Sequence, residues 1–289
     1  MAAYTMVPFD VIKASGERET FDLSKLKNSL SNAGAQPTAI NSVINDLEKG
    51  GLFRDGMSTK KIYREAYQIL KRKSARVAGR YKLKEALLDL GPSGYPFEIL
   101  ISELFRNLGY KTEVGKVVKG KCVSHEVDVI AIKDNEHLMM ECKFHNRQNH
   151  RCNVTIPLYV RSRFLDLKSA WIKQEELKHK NHSGWVVTNT RFTTDATNYS
   201  KCMGLKLLSW SYPKNNGLKD LIGRTGLHPI TCLSTIDKSE KQLLLKNDIV
   251  LAKQVCEDIN RLLRLGIDKV HAERIHNEAT EICNHNMEK

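Results

Sequence analysis

The segment from His125 to Asn146, HEVDVIAIKDNEHLMMECKFHN, constrains the fold of this chain most strongly. Two apolar runs flank a polar turn at residues 133–136, which is the pattern of a β-hairpin. Three charged residues, Asp128, Glu141 and Lys143, lie inside the predicted strands. A carboxylate in a buried strand costs free energy unless it is paired or bound to a metal. The hairpin therefore predicts an ion-paired cluster or a metal site.

The period of a strand relates these side chains to one another. Glu141 and Lys143 are two residues apart and share one face, with Cys142 on the other. Antiparallel pairing can bring Asp128 beside Glu141. Paired carboxylates suit Mg²⁺, which keeps most of its waters and accepts phosphate oxygens, while a lysine orients water or offsets developing charge. The alternative is an ion pair of Lys143 with either acid on a solvated sheet face.

The hairpin belongs to an ordered series of predicted elements. Upstream, GYPFEILISELFRNLGYKTE has apolar residues at helical spacing, ends its helix at Gly109 and places Glu98 in the first turn. Downstream, GWVVTNTRFTTDATNYSKCMGLKLLSW predicts a strand, a polar turn, a helix, Gly204 and a strand. The predicted order is a helix, a hairpin and a β-α-β unit.

This order, with E-x-K on the second hairpin strand, resembles the PD-(D/E)xK nuclease superfamily, and most of all its Mrr-type restriction endonuclease branch, over residues 93–212. The resemblance implies an α/β nuclease core with a central mixed sheet. It implies that Asp128 and Glu141 ligate Mg²⁺ or Mn²⁺, that Lys143 is the catalytic lysine and that Glu98 is an auxiliary acid. His145, just beyond the lysine, is a further catalytic candidate that would touch the scissile phosphate; a satisfied surface histidine is the alternative.

The amino-terminal region predicts a short hairpin followed by helices. VIKASGERETFDLSKLKNSLSNAG contains two strand patterns around Ser15-Gly16 and then a helix capped by Asp22 or Ser24. Lys13 of the hairpin and Lys25 of the first helix can meet at one end, where two ammonium groups beside a helix N-terminus suit a polyphosphate. Further helices fit residues 37–48, 58–72 and 74–90.

The pattern V-x-K-x-x-G-x-x-x-x-F-x-x-x-K, followed by MSTKKIYREAY and ARVAGRYKLKEALL, resembles the ATP-cone, a nucleotide-sensing regulatory domain. The resemblance covers about residues 6–90 and implies that ATP or dATP is the regulatory ligand. The alternative is a small helical domain with a solvated basic face. The residues that the resemblance implies as nucleotide contacts are Lys13, Glu19, Asp22, Lys25, Thr59 and Lys84.

The distribution of charge favours a phosphate-rich partner. The formal net charge is +13, with 16 basic and 10 acidic residues in positions 1–92, 18 and 12 in positions 93–212, and 12 and 11 in positions 213–289. Lys and Arg neutralise a nucleic-acid backbone, so a nucleic acid, most of all DNA, is the expected partner of the first two regions. The near-neutral last region is expected to be a helical domain for oligomerisation or DNA docking.

Cysteine usage and hydropathy narrow the class of protein. Seven cysteines without a C-x-x-C spacing argue against a disulfide framework and the usual zinc modules. No segment is apolar enough to span a bilayer and the first residues lack a signal-peptide layout, so a cytoplasmic location is expected. A zinc site of Cys142, His145, His150 and Cys152 is a weak alternative, because strand alternation points Cys142 away.

Two further motifs receive less weight. GKVVKGKC, residues 115–122, fits the glycine and lysine spacing of a P-loop, but Cys122 replaces the Ser or Thr and no helix pattern follows. A mixed group of basic and aromatic residues flanks the hairpin and suits nucleic-acid contacts, although a solvated loop has the same composition. These residues are Arg147, Arg151, Tyr159, Arg161, Arg163 and Phe164.

The sequence as a whole predicts a multidomain α/β protein with an ATP-cone at residues 1–92, a PD-(D/E)xK domain at 93–212 and a helical domain at 213–289. The expected function is that of a nucleotide-regulated, Mg²⁺-dependent endonuclease that acts on DNA in a restriction-like role. Because the connection at residues 84–98 is short, nucleotide is expected to bias the arrangement of the nuclease domains. The resemblance to the ATP-cone implies that a homo-oligomeric interface is the element that nucleotide controls. The alternatives are a catalytically silent nucleic-acid-binding regulator and a nuclease for branched DNA or RNA.

Overall fold

The computed structural model describes residues 8–13, 15–147 and 149–283, with the backbone alone at residues 75 and 76. The chain forms two compact units, Met1–Leu83 and Lys84–Lys289. The division falls before the boundary expected at residue 92, and the domain limits drawn from the sequence stay predictions. Among the helices of the described residues, none has the length and apolar character needed to cross a membrane.

The first unit combines a small sheet with four helices around one core. Its strands are β1 (Asp10–Ile12), β2 (Arg18–Thr20) and β3 (Met57–Ser58), ordered β2-β1-β3, with β1 antiparallel to β2 and parallel to β3. Its helices are α1 (Leu23–Asn32), α2 (Pro37–Lys49), α3 (Thr59–Lys73) and α4 (Ala75–Tyr81). Asp22, one of the two predicted caps, accepts a hydrogen bond from the backbone N–H of Ser24 and begins α1.

The predicted helix over residues 74–90 is wrong in its extent, because the chain forms α4 and then a separate helix, α5 (Leu83–Leu88), which belongs to the second unit from Lys84 onward. The carbonyl oxygens near the end of α5 accept hydrogen bonds from distant side chains. The Thr231 hydroxyl donates to the Ala86 carbonyl at 2.7 Å, and the Asn189 amide donates to the Leu87 carbonyl at 3.4 Å. These contacts join α5 to the rest of the second unit.

The second unit is built on a mixed five-stranded sheet, which confirms the predicted α/β core with a central mixed sheet. Its strands are β4 (Lys111–Lys119), β5 (Ser124–Lys133), β6 (Glu136–Lys143), β8 (Asn181–Thr188) and β10 (Lys206–Leu208); β7 (Arg151–Cys152) and β9 (Arg191–Phe192) form a separate parallel pair. The order is β10-β8-β6-β5-β4, with antiparallel pairing from β4 to β6 and parallel pairing from β6 to β10. The hairpin predicted from the sequence is β5–β6.

Three helices accompany this sheet: α6 (Tyr95–Asn107), α7 (Thr155–Trp171) and α8 (Thr194–Cys202). Phe164, Leu167 and Trp171 of α7 are buried against Ile130 and Met139 of the sheet. A Cβ at Gly184 would lie 2.9 Å from the Phe164 ring, so glycine allows α7 to approach β8 closely. The parallel strands β8 and β10 are joined by α8, which confirms the predicted β-α-β unit.

The carboxy-terminal part of the second unit is helical, as predicted. Its α-helices are α9 (Leu218–Thr225), α10 (Lys238–Lys246), α11 (Ala252–Glu257), α12 (Asn260–Arg264) and α13 (Lys269–Cys283), with a 3-10 turn at Ile230–Cys232. Glu278 of α13 is 5% exposed. Its two oxygens accept hydrogen bonds from the backbone N–H and hydroxyl groups of Ser234 and Thr235 at 2.6–2.8 Å. This carboxylate therefore holds the segment before α10 against α13.

Candidate active site

The register of the β5–β6 hairpin brings Asp128 to Glu141. Val129 pairs with Met140, so the next position of the same register sets Asp128 opposite Glu141. The backbone N–H of Cys142 donates to Asp128 Oδ2 at 2.6 Å, and this bond fixes the carboxylate at the end of the ladder. The two acids therefore lie close together on neighbouring strands, in the arrangement expected from the sequence.

Glu141 is 3% exposed and binds two cations. Its Oε1 lies 2.6 Å from Lys143 Nζ, and its Oε2 accepts a hydrogen bond from the guanidinium of Arg163 on α7. The same guanidinium donates to the Glu126 carbonyl and lies over the Tyr159 ring, 5.3 Å from its centroid. A buried carboxylate needs such partners, since an isolated buried charge is strongly unfavourable.

Glu98 completes a group of three neighbouring acids from the first turn of α6. Burial, followed by the charges of Asp128, Glu126 and Glu141, raises the pKa of Glu98 to about 7. Burial and the charge of Glu141 raise the pKa of Asp128 to about 6, although the Cys142 N–H bond opposes the rise. In the described part of the chain, neither carboxylate has a cation at ion-pair distance. Glu98 and Asp128 therefore lie close together without a cation partner, and their negative charges repel each other.

Lys143 is the cation nearest to this group. Burial lowers the pKa of its ammonium, but the hydrogen bond to Glu141 and the charges of Glu141 and Asp128 outweigh burial and raise it. The side chain remains 31% exposed. Lys143 therefore stays protonated and reaches solvent beside the three acids.

The donor set fits Mg²⁺ or Mn²⁺ in a limited way. Among the described residues, no group of three or more His, Cys, Asp or Glu side chains is arranged to hold a metal ion by itself. Mg²⁺, however, is commonly bound by one or two carboxylates together with water and substrate phosphate. Glu98 and Asp128 lack a cation partner and fit this requirement. Both oxygens of Glu141 are engaged, so Glu141 must exchange Lys143 or Arg163 before it ligates a metal.

His145 lies beyond the end of β6 but its ring is occupied by neighbours. Its Nε2 lies 3.4 Å from Cys152 Sγ, and its ring centroid lies 4.4 Å from that of His150. Burial and the charge of His150 lower the pKa of His145, which favours the neutral imidazole. Its backbone N–H and carbonyl both bond to the Asn189 side chain. The structure thus places His145 beside the site without a contact to the three acids.

The motifs given less weight in the sequence have ordinary structural roles. Residues 115–119 belong to β4 and β5 follows the turn, so GKVVKGKC has no strand–loop–helix context, as expected. Phe164 is 3% exposed in the core, and Arg163 is 9% exposed against Glu141. The prediction that Arg163 and Phe164 contact nucleic acid is therefore wrong. Tyr159, by contrast, is 55% exposed.

Arg163 is the site residue whose role the sequence interpretation missed. It follows Val160 by three positions and precedes Leu167 by four, so it lies on the buried stripe of α7. A charged residue on a buried helical face requires a buried partner. That spacing is the signal in the sequence, but the apolar residues Leu158 and Leu165 on the exposed face obscure it.

The residues expected to contact a nucleotide fall in both units. Around the β1–β2 hairpin, Glu19 Oε2 lies 2.5 Å from Lys13 Nζ and its Oε1 lies 3.8 Å from Lys25 Nζ. The hydrogen bond from Lys13 lowers the pKa of Glu19, although burial opposes it. Asp22 caps α1, and the Thr59 hydroxyl donates to the Ile12 carbonyl at 3.4 Å. These five residues belong to the first unit.

Lys84, the sixth expected nucleotide contact, belongs to the second unit. It lines a small recess of about 10 Å³ together with Asn189, Thr190, Arg191 and Trp210. Burial and the nearby charge of Arg191 lower the pKa of Lys84. Its nucleotide contact stays a prediction.

Comparison with known proteins adds family relationships to this geometry. Residues 91–211 match the family model described as restriction endonuclease, and residues 228–283 match the model described as AF1548-like, C-terminal. An uncharacterized protein of Archaeoglobus fulgidus is 34% identical over 183 residues, which are 63% of this chain and 99% of the relative. The crystal structure of the protein of unknown function AF1548 has a TM-score of 0.55 and 32% identity, covering 66% of this chain and 98% of that one.

Proposed function

This chain belongs to the AF1548-like family with a restriction endonuclease domain, and we propose that it is a metal-dependent endonuclease that hydrolyses phosphodiester bonds in DNA. The restriction endonuclease match supports nuclease chemistry in residues 91–211. The basic excess of this region, 18 basic against 12 acidic residues in positions 93–212, supports a polyanionic substrate.

One observation carries the proposal: Glu98, Asp128 and Glu141 converge with Lys143 at one end of the β5–β6 hairpin. The pKa of Glu98 and that of Asp128 are raised because burial and mutual repulsion disfavour their charged forms. Two close carboxylates without a cation partner do not stabilise the folded state. A bound divalent cation would neutralise this repulsion, which supports a functional purpose for the cluster.

Each residue then has a distinct role. Glu98 and Asp128 would hold Mg²⁺ or Mn²⁺, whose chemistry is to stabilise the pentacovalent phosphate. Lys143 is a catalytic residue that would donate hydrogen bonds to the attacking water or to a phosphate oxygen and offset developing negative charge. Glu141 orients Lys143 through the 2.6 Å contact, and Arg163 holds Glu141 in place from α7. His145 would touch the phosphate beyond β6.

Cleavage of supercoiled plasmid DNA in the presence of Mg²⁺ or Mn²⁺, compared with EDTA, tests the proposal. We expect metal-dependent nicking that Asp128→Asn and Lys143→Ala each reduce by at least about 100-fold, since each removes transition-state charge stabilisation. Glu113→Gln and Lys116→Ala are matched controls, because this 2.6 Å pair is exposed on β4. Equal activity in all five proteins would contradict the assignment, and preferential cleavage of junctions or RNA would change the substrate.

A second candidate function is that of a catalytically silent nucleic-acid-binding regulator. The observation that favours it is that, within the described residues, no three His, Cys, Asp or Glu side chains are arranged to hold a metal ion by themselves. If Glu98 and Asp128 do not bind a metal together with DNA, no hydrolysis follows. DNA binding without cleavage under any divalent metal would support this alternative over the enzyme.

We further propose that the first unit binds ATP or dATP and regulates the nuclease through a homo-oligomeric interface. The approach of Lys13 and Lys25 to one acid, Glu19, supports it, because a triphosphate can displace that carboxylate and take both ammonium groups. Calorimetry should show severe loss of affinity in Lys13→Ala/Lys25→Ala. The control Lys27→Ala/Lys49→Ala makes the same change in charge elsewhere in the unit. Unchanged affinity in Lys13→Ala/Lys25→Ala would exclude this nucleotide site.

A further inference from the structure

We propose that a cleft between the β4–β5 turn and the end of α7 binds a second, non-reacting backbone phosphate of the DNA substrate. The cleft has a volume of about 280 Å³. The polar side chains that line it are those of Lys119, Lys121, Ser169, Lys173 and Gln174. The inference rests on the proposed nuclease function and adds a specific place for the duplex to that function.

The three lysines of the cleft differ from neighbouring lysines in their ion pairing. Lys119, Lys121 and Lys173 are exposed, and within the described residues none of them has a carboxylate at ion-pair distance. Neighbouring lysines differ in this respect, since Lys116 pairs with Glu113 and Lys178 pairs with Glu175, each at 2.6 Å. Like charges around one cleft repel each other and attract an anion. Ser169 and Gln174 add neutral donors for phosphate oxygens.

The turn that carries Lys119 and Lys121 is held rigidly by Asp166 of α7. The Asp166 carboxylate accepts hydrogen bonds from the backbone N–H of Cys122 at 2.7 Å and of Val123 at 3.3 Å, and it lies 2.8 Å from His125 Nε2. A Cβ at Gly120 would lie 2.2 Å from Asp166 Oδ2, so this close approach requires glycine.

The contacts of Asp166 with the β4–β5 turn have two consequences for a ligand. Its amides already bind an internal carboxylate, so an external anion must use the lysine side chains instead. Because the turn is fixed before binding, ordering the backbone costs no further entropy, which favours affinity.

The position of the cleft along α7 distinguishes it from the catalytic group. Arg163 contacts Glu141, while Ser169 lines the cleft six residues later on the same helix. At 1.5 Å per residue this separation is about 9 Å along the helix. Duplex DNA rises about 3.4 Å per base pair along each strand, so the separation corresponds to about three base pairs. A duplex with its scissile phosphate beside Asp128 is therefore long enough to place another phosphate in the cleft.

The salt dependence of DNA binding tests the site. We expect Lys121→Ala/Lys173→Ala to weaken binding of a labelled duplex in EDTA and to reduce the slope of log K against log salt by about 2, because two phosphate contacts are lost. Lys116→Ala/Lys178→Ala is the matched control, since it removes two paired lysines and makes the same change in net charge. The control should retain the wild-type slope.

Each outcome separates the two proposals. Equal slopes in both variants and the wild-type protein would overturn the second phosphate site, while wild-type cleavage would leave the nuclease assignment standing. Absence of any wild-type DNA binding would overturn both. Inorganic phosphate provides a second probe by ³¹P line broadening. If the cleft variant loses phosphate binding but keeps the DNA slope, the cleft takes free anions only and the inference is wrong.

Discussion

Glu141 and Glu278 are both buried carboxylates of the second unit, but they are satisfied in different ways. Four hydrogen bonds from neutral groups of Ser234 and Thr235 surround Glu278. Glu141 instead binds two cations, and its acidic neighbours Glu98 and Asp128 have raised pKa values. A carboxylate with complete neutral partners stabilises the fold, whereas a cluster with excess charge stores repulsion that a ligand can relieve.

The Asp166 carboxylate extends this comparison. It accepts bonds from two backbone N–H groups and lies against His125, and the His125 contact above all lowers its pKa well below the usual range. Asp166 therefore stabilises the β4–β5 turn, and Glu278 stabilises the packing of α13. Burial alone therefore does not distinguish a functional acid from a structural one. The distinguishing feature is the lack of a cation or hydrogen-bond partner that compensates the charge.

The largest expected effect is that of Glu141→Ala on folding. Because the change leaves Arg163 buried without its anion, we expect a loss of about 3–5 kcal/mol in the free energy of unfolding, measured by urea denaturation. Glu113→Ala, at the exposed pair with Lys116, should cost at most about 1 kcal/mol. A similar small cost for both variants would show that the Glu141 network is not structural.

A somewhat smaller effect is expected for Glu278→Ala. Four donors lose a charged acceptor, so we expect a loss of about 2–4 kcal/mol, since buried unsatisfied donors are costly and their effects are not additive. Cleavage per folded molecule should stay at the wild-type rate, because Glu278 lies on α13 and makes its bonds to Ser234 and Thr235. Loss of specific activity in the folded variant would break the distinction between structural and functional acids.

Asp128→Asn should have the opposite sign on stability. The folded-state pKa of Asp128 is raised to about 6, so at pH 7 its ionised form opposes folding. Removing the charge in metal-free buffer should stabilise the protein by about 1–3 kcal/mol at pH 7, and this gain should vanish near pH 4, where the wild-type carboxyl is protonated. A destabilised Asp128→Asn at pH 7 would refute the view that repulsion is stored here.

The smallest expected effect is a shift with pH and metal. Because raised carboxyl pKa values mean that the folded state binds more protons, the contribution of Glu98 and Asp128 to stability falls as the pH rises from about 4 to about 7. Mg²⁺ competes with those protons, so it should raise Tm at pH 8 and leave Tm unchanged at pH 5. Thermal scans with and without Mg²⁺ measure this, and Asp128→Asn should remove the metal response.

Several elements were accessible from local pattern alone. The β5–β6 hairpin, the amphipathic α6 with Glu98 in its first turn, and the Asp22 cap of α1 were each predicted from alternation, helical spacing or capping chemistry. The strand period also placed Glu141 and Lys143 on one face, and these side chains meet at 2.6 Å. These features depend on residues close together in the chain.

Helix α7 shows where local pattern failed. Leu158 and Leu165 are exposed on the face opposite Phe164 and Leu167, so its apolar residues do not form one clear stripe. The sequence interpretation therefore treated Arg163 as a flanking basic residue. Only the packing of α7 on the sheet reveals that Arg163 is the buried partner of Glu141.

The sequence by itself determined which charged residues share a strand face, because the alternation of side chains is a property of the extended backbone. The tertiary structure decided which partners complete them: Arg163 at Glu141, Asp166 at the β4–β5 turn, and the assignment of α5 with Lys84 to the second unit. These contacts join residues 22–145 positions apart. Their geometry depends on how helices pack on the sheet, and no local period of the chain specifies that packing.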